Sequence, residues 1–313
     1  MGMSVGENGP EGQPQRTLRH SIGCVGIGLH SGARVALTLH PADLHQGIRF
    51  RRADRPGSRA IPALCDHVVE TGSCTTLGLP GGPRVAMVEH LMAALAACQV
   101  TNLLIEVSGP ELPIMDGSAQ PFIFLMECAG IEVQSAECPV IEIVRPVSVS
   151  SDTGWAALEP DSELVLECRI ESDNRVVGVQ ERAHTFRPDL FRSEIAPART
   201  FGFADAVEDL RLHDHAPGSS LKNAVVVAKD RVLNEEGLRF RDEFVRHRLL
   251  DSVGNLQLAG ARLRGRHVSR RADHQLEFRL LKAVFADPAN WRLVAGDFPL
   301  GSGSGHVAAA ARA

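Results

Sequence analysis

The sequence predicts an α+β fold of two similar domains. Its 313 residues exceed the usual span of one compact core, and two domains of roughly 120 to 160 residues suit that length. In the first half strand-like runs precede helical periodicity, and the same order begins again near Cys138. Residue identity between the halves is too weak to prove duplication. The expected division is a disordered tail over residues 1–14, a first domain over 15–136, a second over 137–296 and a flexible tail over 297–313.

From Gln15 to Arg52 short apolar runs alternate with polar and glycine positions in SIGCVGIGLHSG, RVALTLHP and GIRFRR, which read as strands joined by tight turns. Over residues 88–97 the pattern becomes helical, with Leu91, Met92, Leu95 and Ala96 on one face. TNLLIEVSG reads as the next strand. GPELPIMDGS, with two prolines and two glycines, reads as a structured loop before the helical FIFLMECAGI. In the second half PVIEIVRPVSVSS, WAALEP and ELVLECRIE read as strands. Helices are expected over residues 204–212, 242–259 and 273–285, with a short strand, NAVVVA, between the first two.

Composition narrows the chemistry. Hydrophobic residues at 44% and charged residues at 23% fit a folded, water-soluble protein and exclude a disordered or fibrous one. A net charge of −5 argues against sequence-independent nucleic-acid binding. Tyrosine is absent, so the acid, base or nucleophile must be another side chain. Seven cysteines, without a Cys-x-x-Cys pair, suit a reducing compartment. The first fourteen residues lack the apolar core of a signal peptide, and no later run approaches membrane-spanning length. The expected location is the cytoplasm.

His247 and Asp251, four residues apart in EFVRHRLLDSVGN, project from one helical face. In isolation such a pair is ordinarily a helix-surface contact; alternatively it begins a zinc site that needs a third protein ligand and an open position for water. His90, in VEHLMAALAA, is the candidate third ligand, and Glu89 beside it the candidate general base. The plainer reading is that Glu89 complements the positive helix N-terminus while His90 caps or packs.

Taken together, QRTLRHSIGCVGIGLHSG, SCTTLG, VEHLMAALAACQVTNLLIEVSGPELPIMDGSA, ARTFGF, RVLNEEGLRFRDEFVRHRLLD and RLLKAV resemble the UDP-3-O-acyl-N-acetylglucosamine deacetylases of lipid A biosynthesis, in the family's order over about residues 15 to 290. The combination of GLHSG, EHLMAAL, PIMDGSA and FVRHRLLD is highly specific. The resemblance implies two domains, each a helix layer against a sheet, packed with helices inward and the active site between them. It implies one Zn2+, with Fe2+ an alternative, held by His90, His247 and Asp251, and Glu89 as activator of the zinc-bound water. His274 matches the family's cationic proton donor, Thr200 the hydroxyl that holds the oxyanion, and Phe201 the ring that packs on the sugar. Val207, Ala216, Ala224 and Val226, with Leu29 opposite, match the lining of the lipid passage, although small apolar residues are also ordinary core. Arg248 stands where the family usually has lysine and could meet the pyrophosphate with a two-pronged hydrogen bond, or be a solvated helix residue. The run RLRGRHVSRR lacks interleaved aromatics and reads as a solvated face beside a phosphate-binding rim. The implied partner is the acylated UDP-sugar, with no nucleic acid, and a monomer is expected.

Three positions depart from the family pattern. Asn255 replaces an acid one helical turn after Asp251, so His274 is expected to titrate lower than in relatives unless another carboxylate compensates. Asp273, where the family has glycine, is a candidate compensator. Lys222 replaces the usual aspartate of its segment. These changes keep two other readings in play: a zinc-binding paralogue that holds an acylated nucleotide sugar with little turnover, and a deacetylase of a related substrate. Cys74 is either an extra metal ligand or, more simply, a buried thiol.

Overall fold

A computed structural model of the chain describes residues 13–204 and 217–295. Most of both expected tails, nearly all of the expected helix at 204–212, and Val207 and Ala216 lie outside the described residues. The fold is α+β, with two main sheets and a central pair of helices.

The first sheet has the order β2 (Ile22–Ile27), β3 (Arg34–Pro41), β9 (Leu103–Val107), β4 (Ile48–Arg52), β5 (Ile61–Pro62). Only β4 and β9 run parallel. Alternation in RVALTLHP buries Val35, Leu37 and Leu39 on one face, as a period of two requires. A small antiparallel sheet of β6 (Val68–Glu70), β7 (Thr76–Gly78) and β8 (Arg84–Val85) then leads into α1 (Glu89–Cys98). Met87 makes that turn in the left-handed region, at φ 61°, which is costly for a residue with a side chain. Helix α1 is built of Leu, Met and Ala and contains no β-branched residue, so its propensity is high. Nine of its ten residues are buried, as expected of a helix enclosed on all sides. It ends where Gln99 turns left-handed. Helix α2 (Gln120–Ala129) follows, and β10 (Ile131–Glu137) returns to pair antiparallel with β1 (Pro14–Leu18). Pro14, expected in the tail, therefore opens a strand.

The second sheet is organised around β18 (Arg262–Arg270). It pairs parallel with β11 (Val140–Ile143) through its first residues, then antiparallel with β13 (Trp155–Glu159) and parallel with β14 (Leu164–Glu171). Strands β12 (Val147–Ser150), β15 (Val179–Thr185) and β19 (Trp291–Ala295) complete it. After α3 (Pro188–Glu194), β16 (Phe201–Phe203) pairs parallel with β17 (Val225–Val227). Helix α4 (Glu243–Leu256) continues as a 3-10 turn, Gln257–Ala259, that closes at left-handed Gly260. Helix α5 (His274–Ala286) packs on α4 and across β12 and β13.

Helix α4 lies directly against α1. Gly254 is what permits it: a Cβ there would sit 2.0 Å from the Glu89 carbonyl oxygen. The helices of the two sheets thus meet face to face, and the start of α1 is brought beside the middle of α4.

Two elements differ from expectation. RLRGRHVSRR is strand β18 apart from its last residue, and its arginines stand on the outward, solvated face, where Arg266 pairs with Glu167 and Arg270 with Glu171 on neighbouring β14. The arginines are spread by period-two alternation, and two of them are neutralised across the ladder, a pattern that charge density alone conceals. Helix α3, between the sheet and ARTFGF, carries too short an apolar repeat to stand out.

Candidate active site

Three buried side chains converge where α1 meets α4. His90 is the second residue of α1, and His247 and Asp251 lie one turn apart on α4. Asp251 Oδ1 is 3.6 Å from His90 Nε2 and 3.5 Å from His247 Nε2, and one donor atom from each residue falls within 4.8 Å of the others. The imidazole rings stand nearly perpendicular, with centroids 5.0 Å apart. Asp251 Oδ1 is buried without a hydrogen-bond partner. A buried carboxylate oxygen in that condition is costly unless a cation completes it. Two imidazoles and one carboxylate suit Zn2+ or Fe2+ in number and type, so the residues fit the metal that the sequence implied.

The electrostatics of His247 and Asp251 agree with this fit. Burial pushes His247 down to about 4, which leaves it a neutral ligand at neutral pH. Burial also penalises the Asp251 carboxylate, but His247 and His90 outweigh it and hold the group ionised. For His90 burial pushes downward, but the Asp251 carboxylate beside it carries the ring upward on balance, toward a protonated form whose proton a bound metal would displace. His247 Nδ1 is 3.1 Å from the Ala198 carbonyl oxygen, so Nδ1–H donates there and Nε2 keeps its lone pair for the cluster.

Glu89 enters the same space from the first position of α1, 2% exposed. Its Oε2 accepts from the Thr75 backbone N–H at 3.1 Å, and its Oε1 lies 3.9 Å from His274 Nε2. His274 opens α5. Its Nδ1 faces Asn255 Nδ2 at 3.2 Å and the Thr75 hydroxyl at 3.4 Å, while that hydroxyl donates to Asn255 Oδ1 at 2.7 Å. A carboxylate and an imidazole thus flank the three-residue cluster from one side.

Residues 15–286 match the family described as UDP-3-O-acyl N-acetylglycosamine deacetylase (LpxC). A UDP-3-O-acyl-N-acetylglucosamine deacetylase of Acidithiobacillus ferrooxidans is 45% identical over 282 residues, covering 90% of this chain and 92% of the relative. That of Myxococcus xanthus is 44% identical over 285 residues, covering 91% and 90%, and that of Haemophilus influenzae 43% over 282, covering 90% and 92%. The chain belongs to the UDP-3-O-acyl N-acetylglycosamine deacetylase family.

Of the other residues that the family resemblance singled out, Phe201 and Arg248 touch this centre, through His247 and Asp251. Phe201, on β16, packs edge-on against Phe244 and His247, with ring centroids 4.9 and 6.4 Å apart. The Arg248 guanidinium lies 5.9 Å over the Phe201 ring and donates to Asp251 Oδ2 at 3.4 Å. Thr200 is tied at both ends of its peptide unit: its N–H donates to Gly117 and its carbonyl accepts from Val225. Gly117, at φ 86°, is required there because a Cβ would fall 2.2 Å from the Asn223 carbonyl oxygen. Leu29, half-buried, accepts from the Gly218 N–H through its carbonyl, and Ala224 and Val226 are buried at and beside β17. Lys222 is exposed.

Several residues that shape the site gave no motif. Thr75 ties Glu89, Asn255 and His274 together. Glu111 accepts from the backbone of His30 and Ser31 and fixes the GLHSG loop. Glu243 binds Arg199 and anchors ARTFGF. Each partner is distant in sequence, so no spacing rule could reveal it. Cys74 is a buried thiol, raised to about 12 by burial and by Glu89, and stands apart from the candidate metal group among the described residues. Asp273 is not directed at His274: its carboxylate accepts from the Leu276 N–H at 2.8 Å and caps α5.

Proposed function

We propose that the protein hydrolyses the acetamide of UDP-3-O-acyl-N-acetylglucosamine, giving UDP-3-O-acyl-glucosamine and acetate, the committed step of lipid A biosynthesis. The observation that carries the reading is the placement of Glu89 and His274, 3.9 Å apart, beside the His90, His247 and Asp251 cluster in a chain 43–45% identical to deacetylases that act on that compound.

His90, His247 and Asp251 would hold the metal. A Zn2+ ion bound there supplies Lewis acidity toward the acetamide carbonyl and brings the pKa of water to about 7. Glu89, its Oε2 fixed by the Thr75 N–H, takes the proton from the attacking water. His274 faces it and delivers a proton to the departing amine nitrogen. Without that proton the nitrogen would leave as an amide anion, so the acid is as necessary as the base. The Thr200 hydroxyl, on a peptide unit held at both ends, donates to the oxyanion as it develops. Phe201 offers its ring to the sugar, and Arg248 beside it offers the pyrophosphate a planar fork. Leu29, Ala224 and Val226 line the acyl passage. All the groups named stand in one chain, which suits a monomer, and seven free cysteines suit a reducing cytoplasm.

The test is acetate release from acylated UDP-N-acetylglucosamine by zinc-reconstituted protein. Stoichiometric acetate that disappears in Glu89→Ala supports hydrolysis. Substrate binding without acetate supports instead a binding paralogue, and release only from another amide supports a different substrate.

A further inference from the structure

The deacetylase reading gives His274 the part of a cation, yet Asn255 beside it is neutral. An amide presents its oxygen to a protonated ring nitrogen or its N–H to an unprotonated one, so Asn255 orients His274 without favouring the charged form. Asp273 is occupied as the cap of α5. The charged or titratable groups around the ring and its recess are Glu89 from α1, Cys168 from β14, Arg248 and Asp251 from α4, and Asp273 and Glu277 from α5, with His267 of β18 behind Glu277.

Glu277 has no part in the mechanism above, and its setting is unusual. It follows His274 by three residues, so the two side chains leave α5 on one face. Both line a recess of about 10 Å³, the scale of a single water molecule, with Ser252 and Asn255. The carboxylate is 4% exposed. Its Oε2 lies 2.9 Å from Nε2 of His267, which is fully buried, and its Oε1 accepts from the Ser252 hydroxyl at 2.8 Å. Three elements thus hold a charge-bearing group in the protein interior, where an idle carboxylate would be destabilising.

We propose that Glu277, clamped by His267 and Ser252 one turn beyond His274, is the positioning residue whose buried carboxylate replaces an acid at position 255 as the charge partner of His274. The proposal rests on the deacetylase reading only for the use made of a cationic His274. Burial works against ionisation of Glu277, but His267 outweighs it, helped by Ser252 and by His274 itself, so the carboxylate stays below its ordinary range. A carboxylate buried in the same recess as the ring is weakly screened from it.

The decisive experiment follows the His274 imidazole by NMR in zinc-loaded protein carrying 13C-labelled histidine, its resonance assigned by its loss in His274→Gln. Glu277→Gln should lower the His274 pKa by at least about half a unit, whereas Asp273→Asn should not. A smaller fall in Glu277→Gln, or an equal one in Asp273→Asn, overturns the proposal. If Glu277→Gln fails to fold, Asn255→Asp made in a Glu89→Gln background, which removes the carboxylate 3.9 Å from the ring, answers the same question. A rise of less than about one unit shows a carboxylate already acting on the ring, and a larger rise shows that none was. Turnover plays no part in the readout. Protein that shows the expected shifts but releases no acetate keeps this inference and loses the deacetylase reading.

Discussion

The Ala198 carbonyl oxygen lies 3.1 Å from Nδ1 of His247, and this contact decides which imidazole nitrogen faces Asp251. Ala198 is the first residue of ARTFGF, which runs through Thr200 into β16 at Phe201, so the segment that carries Thr200 and Phe201 also sets the tautomer of a candidate ligand.

His247→Ala should therefore lose bound zinc, with affinity reduced by more than the ~10–100-fold that removal of an outer-shell partner costs. Zinc retained per chain after dialysis against a chelator of graded strength checks this. Wild-type occupancy in the variant would exclude His247 as a ligand.

Glu89→Gln should keep the metal and lose ~10²–10⁴ in turnover, because the amide still accepts from the Thr75 N–H but cannot take a proton. Zinc content and acetate release measured on the same preparation separate this from loss of the site. Near-normal turnover would remove Glu89 from the role of base.

Arg199 and Glu243 form a buried pair, 3% and 0% exposed, with additional bonds to Glu236 and the Gly237 carbonyl. Glu243→Gln leaves the guanidinium short of a charge and should destabilise the protein by about 3–5 kcal/mol. Urea unfolding checks the magnitude. A loss below about 1 kcal/mol would show that the pair does not anchor ARTFGF.

Asp242 links Arg182 and Arg246 at 3.0 and 2.6 Å. Burial opposes its ionisation, but the Arg246 hydrogen bond and charge prevail and depress its pKa. A depressed folded-state pKa contributes stability above the ordinary aspartate range near about 4, and the contribution is lost as pH falls through the folded value. Wild type should thus exceed Asp242→Asn in unfolding midpoint at pH 7, and the gap should close toward about pH 3. A gap independent of pH would mean that Asp242 acts through packing.

Much of the fold was legible because its signals are local. RVALTLHP forms a strand along its whole length, and the helices expected at 88–97 and 273–285 appear as Glu89–Cys98 and His274–Ala286. His247 and Asp251 could be read from helical spacing alone, and His90 as a polar residue in an apolar helix. What could not be read depends on distant pairing. β1 meets β10 across more than a hundred residues, and β18 hides its strand period under four arginines. Thr75, Glu243 and Glu277 lack a motif because their partners come from other elements. Asp273 was misleading for a related reason: next to His274 in sequence, it turns instead to the helix N-terminus.

The central claim is that His90, His247 and Asp251 hold a metal beside Glu89 and His274 for amide hydrolysis. Acetate release from acylated UDP-N-acetylglucosamine, measured before and after removal and restoration of zinc, tests it most directly. The expected result is one zinc per chain, acetate equal to the free amine formed, activity lost with the metal and regained on its return. Metal-independent release, or no release with zinc bound and substrate engaged, would contradict it.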